Sequence, residues 1–367
     1  MGNVPHLRFP EFSGEWKKCK LGDLCNVLMC KRILVSQTNT EDGVPFYKIG
    51  TIGSTPDAYI SKELFDDYKV KYNYPRKGEV MITCAGTVGK CVVYDGEDAY
   101  FQDSNIVWID NPTQYISNGF LFHLLSKVDW RKLNSTTIIR IYNDDLRNLK
   151  MSYPRKEEQQ KISHLLSLLD ERIATQNKII EKLQSLIKGL RVCCMQRNGS
   201  NNVYLSEIAQ IYQPQTISSA ELTEDGFLVY GANGIIGKYK DYNHKTEQIC
   251  ITCRGNTCGM VNYTKPMSWI TGNAMVINTD KYQDKVYKKY LYHYLSAYNF
   301  NSIISGSGQP QIVRTPLEKL KITLPTISEQ KQKAMILDKI QDKIEINHNI
   351  LNLYILQKQY LLRQMFI

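Results

Sequence analysis

The segment Gly86–Cys91, which reads GTVGKC, is the part of the sequence closest to a phosphate-binding loop. In such a loop, backbone N–H groups surround the phosphates, a lysine reaches them, and the Ser or Thr after it holds Mg²⁺. Here Cys84 stands where the first glycine is needed, and Cys91 follows the lysine. The three glycines between 231 and 237 also lack the dinucleotide-binding spacing. We therefore expect no nucleotide cofactor in this chain.

Other residue types with catalytic chemistry lack a complete set of partners. Cys250, Cys253 and Cys258 could be zinc ligands, but residues three apart on a strand face opposite sides, and no fourth ligand is nearby. The carboxylates and lysine between 57 and 69 resemble a metal-dependent nuclease set that the second half of the chain does not repeat. There is no Asn-Pro-Pro-Tyr-like methyltransferase motif. We expect no metal and no catalysis, with an autonomous nuclease or methyltransferase as the alternative.

Polar and basic residues in glycine-containing loops are the candidates for binding. Arginine matches guanine edges, asparagine or glutamine matches adenine edges, and glycine lets a backbone approach phosphate. A formal charge of +10 suits a polyanionic partner such as double-stranded DNA. The candidate DNA-binding residues are Thr87, Lys90, Thr137, Arg140 and Tyr142 in the first half, and Arg254, Asn256, Gln309, Gln311 and Arg314 in the second.

The elements that must position these loops occur twice. Leu149–Pro154 matches Leu320–Pro325 at an offset of 171 residues, taken from position 154 to position 325. The register continues without gaps through a Glu-Gln pair, at 158–159 and at 329–330. Upstream, Val80–Gly86 resembles Ile249–Gly255. An ungapped register across a strand, a proline and a helical stretch indicates a duplicated structural unit.

Each half begins as a strand-rich domain and ends as a helix. Short apolar runs broken by Gly, Pro and Asp are typical of strands. The predicted strands are Val44–Ile49, Val80–Thr83, Lys90–Tyr94, Ile106–Ile109 and Leu149–Tyr153, and a short helix is predicted at Asn118–Lys127. After each proline, apolar residues recur at three- and four-residue steps, which is heptad spacing.

The heptad pattern predicts two long helices that pair along one face. The predicted core positions are Leu169, Ile173, Gln176, Ile180, Leu183, Ile187 and Leu190 in the first helix, and Ile340, Ile344, Asn347, Leu351, Tyr354 and Leu361 in the second. Gln176 and Asn347 are repeat counterparts, and a polar residue at a core position fixes the register of a coiled coil. Lys358 departs from the pattern. The alternative is that each helix packs flat on its own domain.

Connectivity then predicts the architecture. A helix of about 40 residues spans roughly 60 Å. The second helix buries its row of apolar core residues most simply by running antiparallel to the first. Two similar basic domains held at a fixed spacing, related by a pseudo-two-fold axis, suit two DNA half-sites separated by unread base pairs. A scaffold that uses the coiled coil to join two protein partners remains the alternative function.

Two motifs resemble those of a known family. His6–Phe12, followed by Gly14 and Trp16, resembles the opening of type I restriction–modification specificity (S) subunits, and so does Leu324-Pro325 followed by Glu329-Gln330. The first copy differs in having Tyr153 before its proline. The resemblance covers essentially the whole chain, because the order domain, helix, domain, helix is also that of the family.

The resemblance implies an α+β fold of two pseudo-repeated α/β target-recognition domains separated by two long helices in an antiparallel coiled coil. The domains would be target-recognition domain 1 (1–153), spacer helix 1 (154–198), target-recognition domain 2 (199–324) and spacer helix 2 (325–367). It also implies a bipartite, asymmetric DNA target and docking of two methyltransferase (M) subunits that hold S-adenosylmethionine and methylate adenine. Restriction (R) subunits that use ATP and Mg²⁺ are expected as further partners.

The ten cysteines, with no apolar leader and no run of about 20 apolar residues, indicate a cytoplasmic chain that does not enter a membrane.

Overall fold

The chain forms two compact units in the computed structural model, which describes residues 2–133, 140–195, 201–232, 234–306 and 308–367. Unit 1 comprises residues 1–175 and 351–367, and unit 2 comprises residues 176–350. Each unit contains one strand-rich domain and parts of two long helices, α5 (Lys156–Met195) and α8 (Ile327–Met365). The predicted end of the first long helix, near Arg197, lies outside the described residues.

Unit 1 contains nine strands and four shorter helices among its described residues. The strands are β1 (Lys17–Lys20), β2 (Asn26–Leu28), β3 (Val44–Tyr47), β4 (Tyr59–Ile60), β5 (Val80–Thr83), β6 (Cys91–Val93), β7 (Tyr100–Phe101), β8 (Ile106–Asp110) and β9 (Lys150–Tyr153). The helices are α1 (Lys62–Lys71), α2 (Asn118–Lys127), α3 (Trp130–Leu133) and α4 (Asn143–Arg147).

The central sheet of unit 1 has the strand order β2-β8-β5-β6. Strand β5 is buried at every position, which explains why its sequence, Val80–Thr83, does not alternate between apolar and charged residues. A second sheet, β4-β3-β7, contains the parallel pair β3–β7, and β1 pairs antiparallel with β9. Trp16 and Phe120 pack edge to face, with ring centroids 5.8 Å apart, in a core that includes Phe366 from the end of α8.

Unit 2 repeats this arrangement. Its strands are β10 (Asn201–Tyr204), β11 (Gln210–Tyr212), β12 (Phe227–Gly231), β13 (Gly234–Tyr239), β14 (Ile249–Thr252), β15 (Val261–Tyr263), β16 (Trp269–Ile270), β17 (Ala274–Asn278) and β18 (Lys321–Leu324). Its shorter helices are α6 (Lys288–Ala297) and α7 (Arg314–Glu318). The sheets have the orders β11-β17-β14-β15, β13-β12-β16 and β10-β18, which match those of unit 1 strand for strand.

One edge strand differs between the units. In unit 1, β4 contributes two residues beside β3, whereas in unit 2 β13 contributes six residues beside β12. Unit 2 therefore carries an extended two-stranded ribbon where unit 1 has a short edge.

The long helices pair antiparallel within each unit. In unit 2, Gln176 donates to the Asn347 carbonyl at 3.2 Å, while Lys333 donates to the Cys194 carbonyl at 3.2 Å, so later residues of α5 contact earlier residues of α8. Ile187, Leu337 and Ile344 form the apolar core of this pair. The predicted fold class is confirmed.

The departure at Lys358 has a structural explanation. In unit 1 its ammonium group forms an ion pair with Asp170 of α5, so the charge at this core-type position is compensated. Among the described residues, no helix is both long enough and apolar enough to cross a membrane.

Candidate nucleic-acid interface

In unit 1, the loop Cys84–Lys90 is held by three backbone hydrogen bonds. The Cys84 N–H donates to the Asn105 carbonyl at 2.8 Å, and the Cys84 carbonyl accepts from the Ile141 N–H at 2.9 Å. The Gly89 N–H donates to the Thr83 carbonyl at 2.8 Å, which closes the loop. These bonds join the loop after β5 to the segment that precedes α4.

In unit 2, the loop Cys253–Gly259 is held by the equivalent three bonds. The Cys253 N–H donates to the Asn273 carbonyl at 3.0 Å, and the Cys253 carbonyl accepts from the Ile312 N–H at 3.0 Å. The Gly259 N–H donates to the Thr252 carbonyl at 2.9 Å. The two units therefore present their candidate side chains from the same backbone frame.

A glycine packs against an aromatic ring in each loop. Gly89 has φ +83°, and a Cβ there would lie 2.2 Å from Cδ1 of Trp130. Gly259 has φ +90°, and its Cβ would lie 3.2 Å from Cβ of Phe300. Because left-handed backbone and close contact coincide, only glycine fits at Gly89 without displacing the ring or the loop.

The unit 1 candidates are partly engaged within the protein. The Thr87 hydroxyl donates to the Ile49 carbonyl at 3.1 Å, and the Lys90 ammonium donates to the Ile52 carbonyl at 2.6 Å. Arg140 donates to the Asn105 side chain at 3.2 Å and to Ser104, and its guanidinium lies 6.0 Å from the Tyr142 ring centroid. Tyr142 is exposed. The remaining candidate, Thr137, lies outside the described residues.

These partners give the unit 1 candidates fixed orientations. The Arg140 guanidinium is held by Asn105, the residue whose carbonyl anchors the loop, so the cation stays beside Cys84–Lys90. A groove of about 580 Å³ adjoins the loop, lined by Gly86–Lys90, by Ser126 and by Val128–Arg131. The groove therefore contains two cations, Lys90 and Arg131, and one carboxylate, Asp129, beside two glycines.

In unit 2, the structure brings four of the five candidates onto two connected loops. Arg254 and Gln311 form an antiparallel backbone bridge, and the Gly255 N–H donates to the Pro310 carbonyl at 3.0 Å. Gln311 also exchanges two 2.8 Å backbone bonds with Ser305. Asn256 and Gln309 complete the set, and all four side chains are exposed. The side chains available to a partner here are one arginine and three amides.

Among the described residues, Arg314 interacts with its own helix and not with this cluster. It begins α7, and its guanidinium donates to Glu318 one turn later at 2.6 Å. Exposed ion pairs of this kind contribute little to stability, so Arg314 can exchange its carboxylate partner for a phosphate at low cost.

Each domain is fastened to its long helix by a buried glutamine that belongs to the Glu-Gln motif. Gln159 accepts from the Ser117 N–H at 2.7 Å and donates to the Tyr115 and Pro154 carbonyls, both at 2.9 Å. Gln330 accepts from the Tyr287 N–H at 2.7 Å and donates to the carbonyls of Lys285 and Pro325. The repeated motif thus has a positioning role that sequence reasoning had recognised only as a pattern.

A buried histidine lies at the same junction in each unit. Burial lowers the pKa of His123 to about 4, and Lys358 lowers it further in the same direction. In unit 2, burial lowers the pKa of His293, whose ring accepts from Arg191 at 3.2 Å and contacts Asp338 at 3.0 Å. Both rings are therefore neutral at pH 7 and act as packed hydrogen-bonding groups.

The thirteen predicted helix-core positions are all buried or half-buried. Gln176 bonds to Asn347, its own counterpart in the repeat. An antiparallel pair in the predicted register requires this contact, which explains why both positions are polar.

Sequence reasoning missed a set of exposed apolar residues on the long helices. In unit 2 they are Ile179, Leu186 and Val192 of α5 and Met335, Ile336 and Ile346 of α8, and in unit 1 they are Leu168, Leu353, Ile355, Leu356 and Tyr360. Several lie seven residues apart, a spacing that the sequence displays but that the stronger core stripe obscured.

The buried cysteines behave as apolar side chains. Burial raises the pKa of Cys250 to about 12 and that of Cys84 to about 11, and it also raises that of Cys253. Within the described ranges, no group of three or more His, Cys, Asp or Glu residues is arranged to hold a metal ion.

Comparison with protein families identifies this arrangement. The family model for the type I restriction modification DNA specificity domain matches residues 13–185 and again residues 198–353. A Haemophilus influenzae protein assigned as a type I restriction enzyme specificity subunit is 48% identical over 172 residues, which cover 47% of this chain and 44% of that relative. The aligned part thus spans less than half of that relative. The MjaVIII specificity subunit of Methanocaldococcus jannaschii is 24% identical over 400 residues, covering 93% of this chain and 88% of the relative.

Solved structures share the fold. The S subunit of a type I restriction-modification system from M. genitalium matches with a TM-score of 0.71 at 17% identity, covering 99% of each chain. A chain from a structural study of complex assembly and conformational transition of the type I R-M system matches with a TM-score of 0.56 at 16% identity, covering 98% of each chain.

Proposed function

Because this chain belongs to the type I restriction modification DNA specificity family, we propose that it reads a bipartite, asymmetric DNA target, one half-site with each unit. The observation that carries the proposal is the repeated loop frame. Loops Cys84–Lys90 and Cys253–Gly259 are held by the same three backbone bonds but carry different polar side chains. Equivalent frames with different side chains are what two different half-sites require.

The chemistry of the loops supports base reading. Arg254 can pair with a guanine edge, and Asn256, Gln309 and Gln311 can pair with adenine edges. Phosphate contacts would set the position of the protein and base contacts would set its specificity. Lys90 and Arg140, which already have partners inside unit 1, are better suited to phosphate contacts than to base reading.

We further propose that α5 and α8 dock two methyltransferase (M) subunits. The exposed apolar residues on these helices support this, since rows of such side chains mark protein interfaces more than solvated surfaces. This chain would contribute no catalysis and hold no cofactor. S-adenosylmethionine would be bound by the M subunits, and ATP with Mg²⁺ by restriction (R) subunits where these join the complex.

Methylome sequencing tests the proposal. Cells that express this chain with a cognate M subunit should carry methylated adenines in one bipartite motif. Exchange of residues 203–324 for those of a relative should change one half of the motif and leave the other half and the spacer unchanged. An unchanged motif would show that unit 2 does not read sequence.

Salt dependence separates DNA reading from a purely protein-joining scaffold. Binding of a duplex by the complex should weaken steeply as salt rises, because each phosphate contact releases counterions. Absent or salt-independent binding, with the M subunit present, would favour the scaffold.

A further inference from the structure

The ribbon β12–β13 of unit 2 carries two neighbouring exposed isoleucines. Ile235 is 54% exposed and Ile236 is 43% exposed. The β12–β13 register shifts between Val229 and Tyr230 and leaves Ile236 as an extra residue in the pairing, an irregularity of the kind that re-aims a side chain. Apolar side chains stabilise a fold by leaving water, and these two contribute little in that way.

The end of the ribbon is fastened to the loop that carries the polar candidates. The hydroxyl groups of Thr252 and Thr257 both donate to the Ala232 carbonyl, at 2.6 and 3.1 Å. Met260, at the end of the same loop, is 44% exposed, and its carbonyl accepts from the Thr252 N–H at 2.8 Å. Met260 therefore lies on the loop that also presents Arg254 and Asn256, and the ribbon that carries Ile235 and Ile236 is hydrogen-bonded to that loop through Ala232.

Unit 1 provides an internal reference for this surface. In the described part of unit 1, Lys90 takes the place of Met260 after the equivalent glycine. The Lys90 ammonium donates to the Ile52 carbonyl at 2.6 Å, so this place is polar in unit 1. Unit 1 therefore forms the same loop frame with a polar residue at this place, so the frame does not require an exposed apolar side chain there.

Both cations and carboxylates flank the apolar residues, and Asp225 and Asp241 lie in the same segment as the lysines. Lys238 lies on β13 itself, Lys240 follows that strand directly, and Arg254 is on the adjoining loop. Lys238 has an acidic neighbour, Asp225, at 3.5 Å, in an exposed pair. In a duplex groove the phosphates lie at the edges and the bases at the floor, so Lys238, Lys240 and Arg254 can meet phosphates while the apolar side chains face the bases.

The major groove of B-DNA admits a two-stranded β-ribbon, and the apolar group that it displays is the C5-methyl of thymine. We propose that unit 2 reads at least one thymine methyl group in its half-site through Ile235, Ile236 and Met260. The proposal rests on the DNA-reading function above and adds which feature of the base pair is read.

Deoxyuridine substitution tests this without altering the protein. The probe is the bipartite duplex found by methylome sequencing, bound by the complex of this chain with its M subunit. Replacing the thymines of the unit 2 half-site by deoxyuridine should weaken binding about fourfold for each contacted methyl, the equivalent of one buried methyl-sized group. The same replacement confined to the other half-site should change the affinity less than twofold.

A protein variant then assigns the effect. The double variant Ile235→Ser/Ile236→Ser should bind the thymine and deoxyuridine duplexes within twofold of each other. Val70→Ser is the matched control, because Val70 is 86% exposed on α1 of unit 1, and this variant should discriminate as the unaltered chain does.

Three results would overturn the proposal. They are equal binding of the two duplexes by the unaltered chain, a unit 2 half-site made only of G·C pairs, or loss of M-subunit binding by the double variant with unchanged duplex affinity. Each of these results leaves a bipartite methylated motif in place. If the proposed DNA-reading function failed instead, there would be no such motif, so the two failures are distinguishable.

Discussion

Replacing Gln159 by methionine should loosen the recognition domain of unit 1 from the start of α5. The glutamine is fully buried, and its three hydrogen bonds reach the Ser117 N–H and the carbonyls of Tyr115 and Pro154. Ser117 is the N-cap of α2, so one side chain joins the first turn of α5 to the start of the helix that packs beneath the central sheet.

The magnitude follows from the groups left without a partner. Methionine matches glutamine in length but offers no donor, so one backbone N–H and two carbonyls lose a bond. Each unpaired buried group costs about 1–3 kcal/mol, and relaxation or water entry recovers part of this cost. We expect the free energy of unfolding of unit 1 to fall by about 3–5 kcal/mol, a large share of the 5–15 kcal/mol typical of a folded domain.

Hydrogen–deuterium exchange measures the loss of stability separately in each unit. In Gln159→Met, protection should fall in α2 and in the first turns of α5, while unit 2 keeps its protection. The matched variant Gln330→Met should give the reverse, because Gln330 makes the equivalent bonds in unit 2. A loss below about 1 kcal/mol, or an equal loss in both units from either variant, would refute this reasoning.

Three further predictions concern pH, the helix pair and the loop. Because burial lowers the pKa of His123 to about 4, below its unfolded value near 6.5, the unfolded chain binds the proton first as pH falls. Through this group, the free energy of unfolding of unit 1 should fall by about 3 kcal/mol between pH 7 and pH 4. Denaturant titrations should show that His123→Gln removes this fall, and an equal fall in the variant would contradict the prediction. The variant Gln176→Leu/Asn347→Leu should unfold at a higher temperature, because a polar core pair gives register at a cost in stability, and a lower melting temperature would contradict this. Gly89→Ala should displace the loop against Trp130 and weaken recognition of one half-site, as read by binding to duplexes mutated in each half, and unaltered binding of both would contradict it.

Much of the fold could be predicted because the sequence contains two copies of the same structural unit. The 171-residue register and the heptads predicted two paired helices, and the helix Asn118–Lys127 was predicted with the bounds that the structure gives. Helix α1 was missed because its apolar face is narrow: Phe65 is its only buried residue, and Leu64 and Tyr68 are partly buried beside it. The strand order could not be predicted, since it depends on pairings between distant strands. The domain boundaries at 153, 198 and 324 stay a prediction.

The candidate site was less accessible to sequence reasoning. Residue type indicated that Lys90 and Arg140 could bind a polyanion, but only the structure shows that Ile52 and Asn105 already hold them. The bridge between Arg254 and Gln311 joins loops nearly sixty positions apart, which no local pattern indicates. Ile235 and Ile236 read as ordinary strand residues, because exposure is a property of the folded ribbon. The DNA-binding assignments themselves stay predictions.

Systematic base-pair substitution in the recognised duplex tests the central claim most directly. With the complex of this chain and its M subunit, binding should depend on two short blocks of positions separated by positions where any base pair is accepted. Substitutions in the loop Cys253–Gly259 should alter the preference in one block, and substitutions in Cys84–Lys90 should alter it in the other. A single continuous block, or a change in both blocks from substitutions in one loop, would contradict two separate readers in one chain.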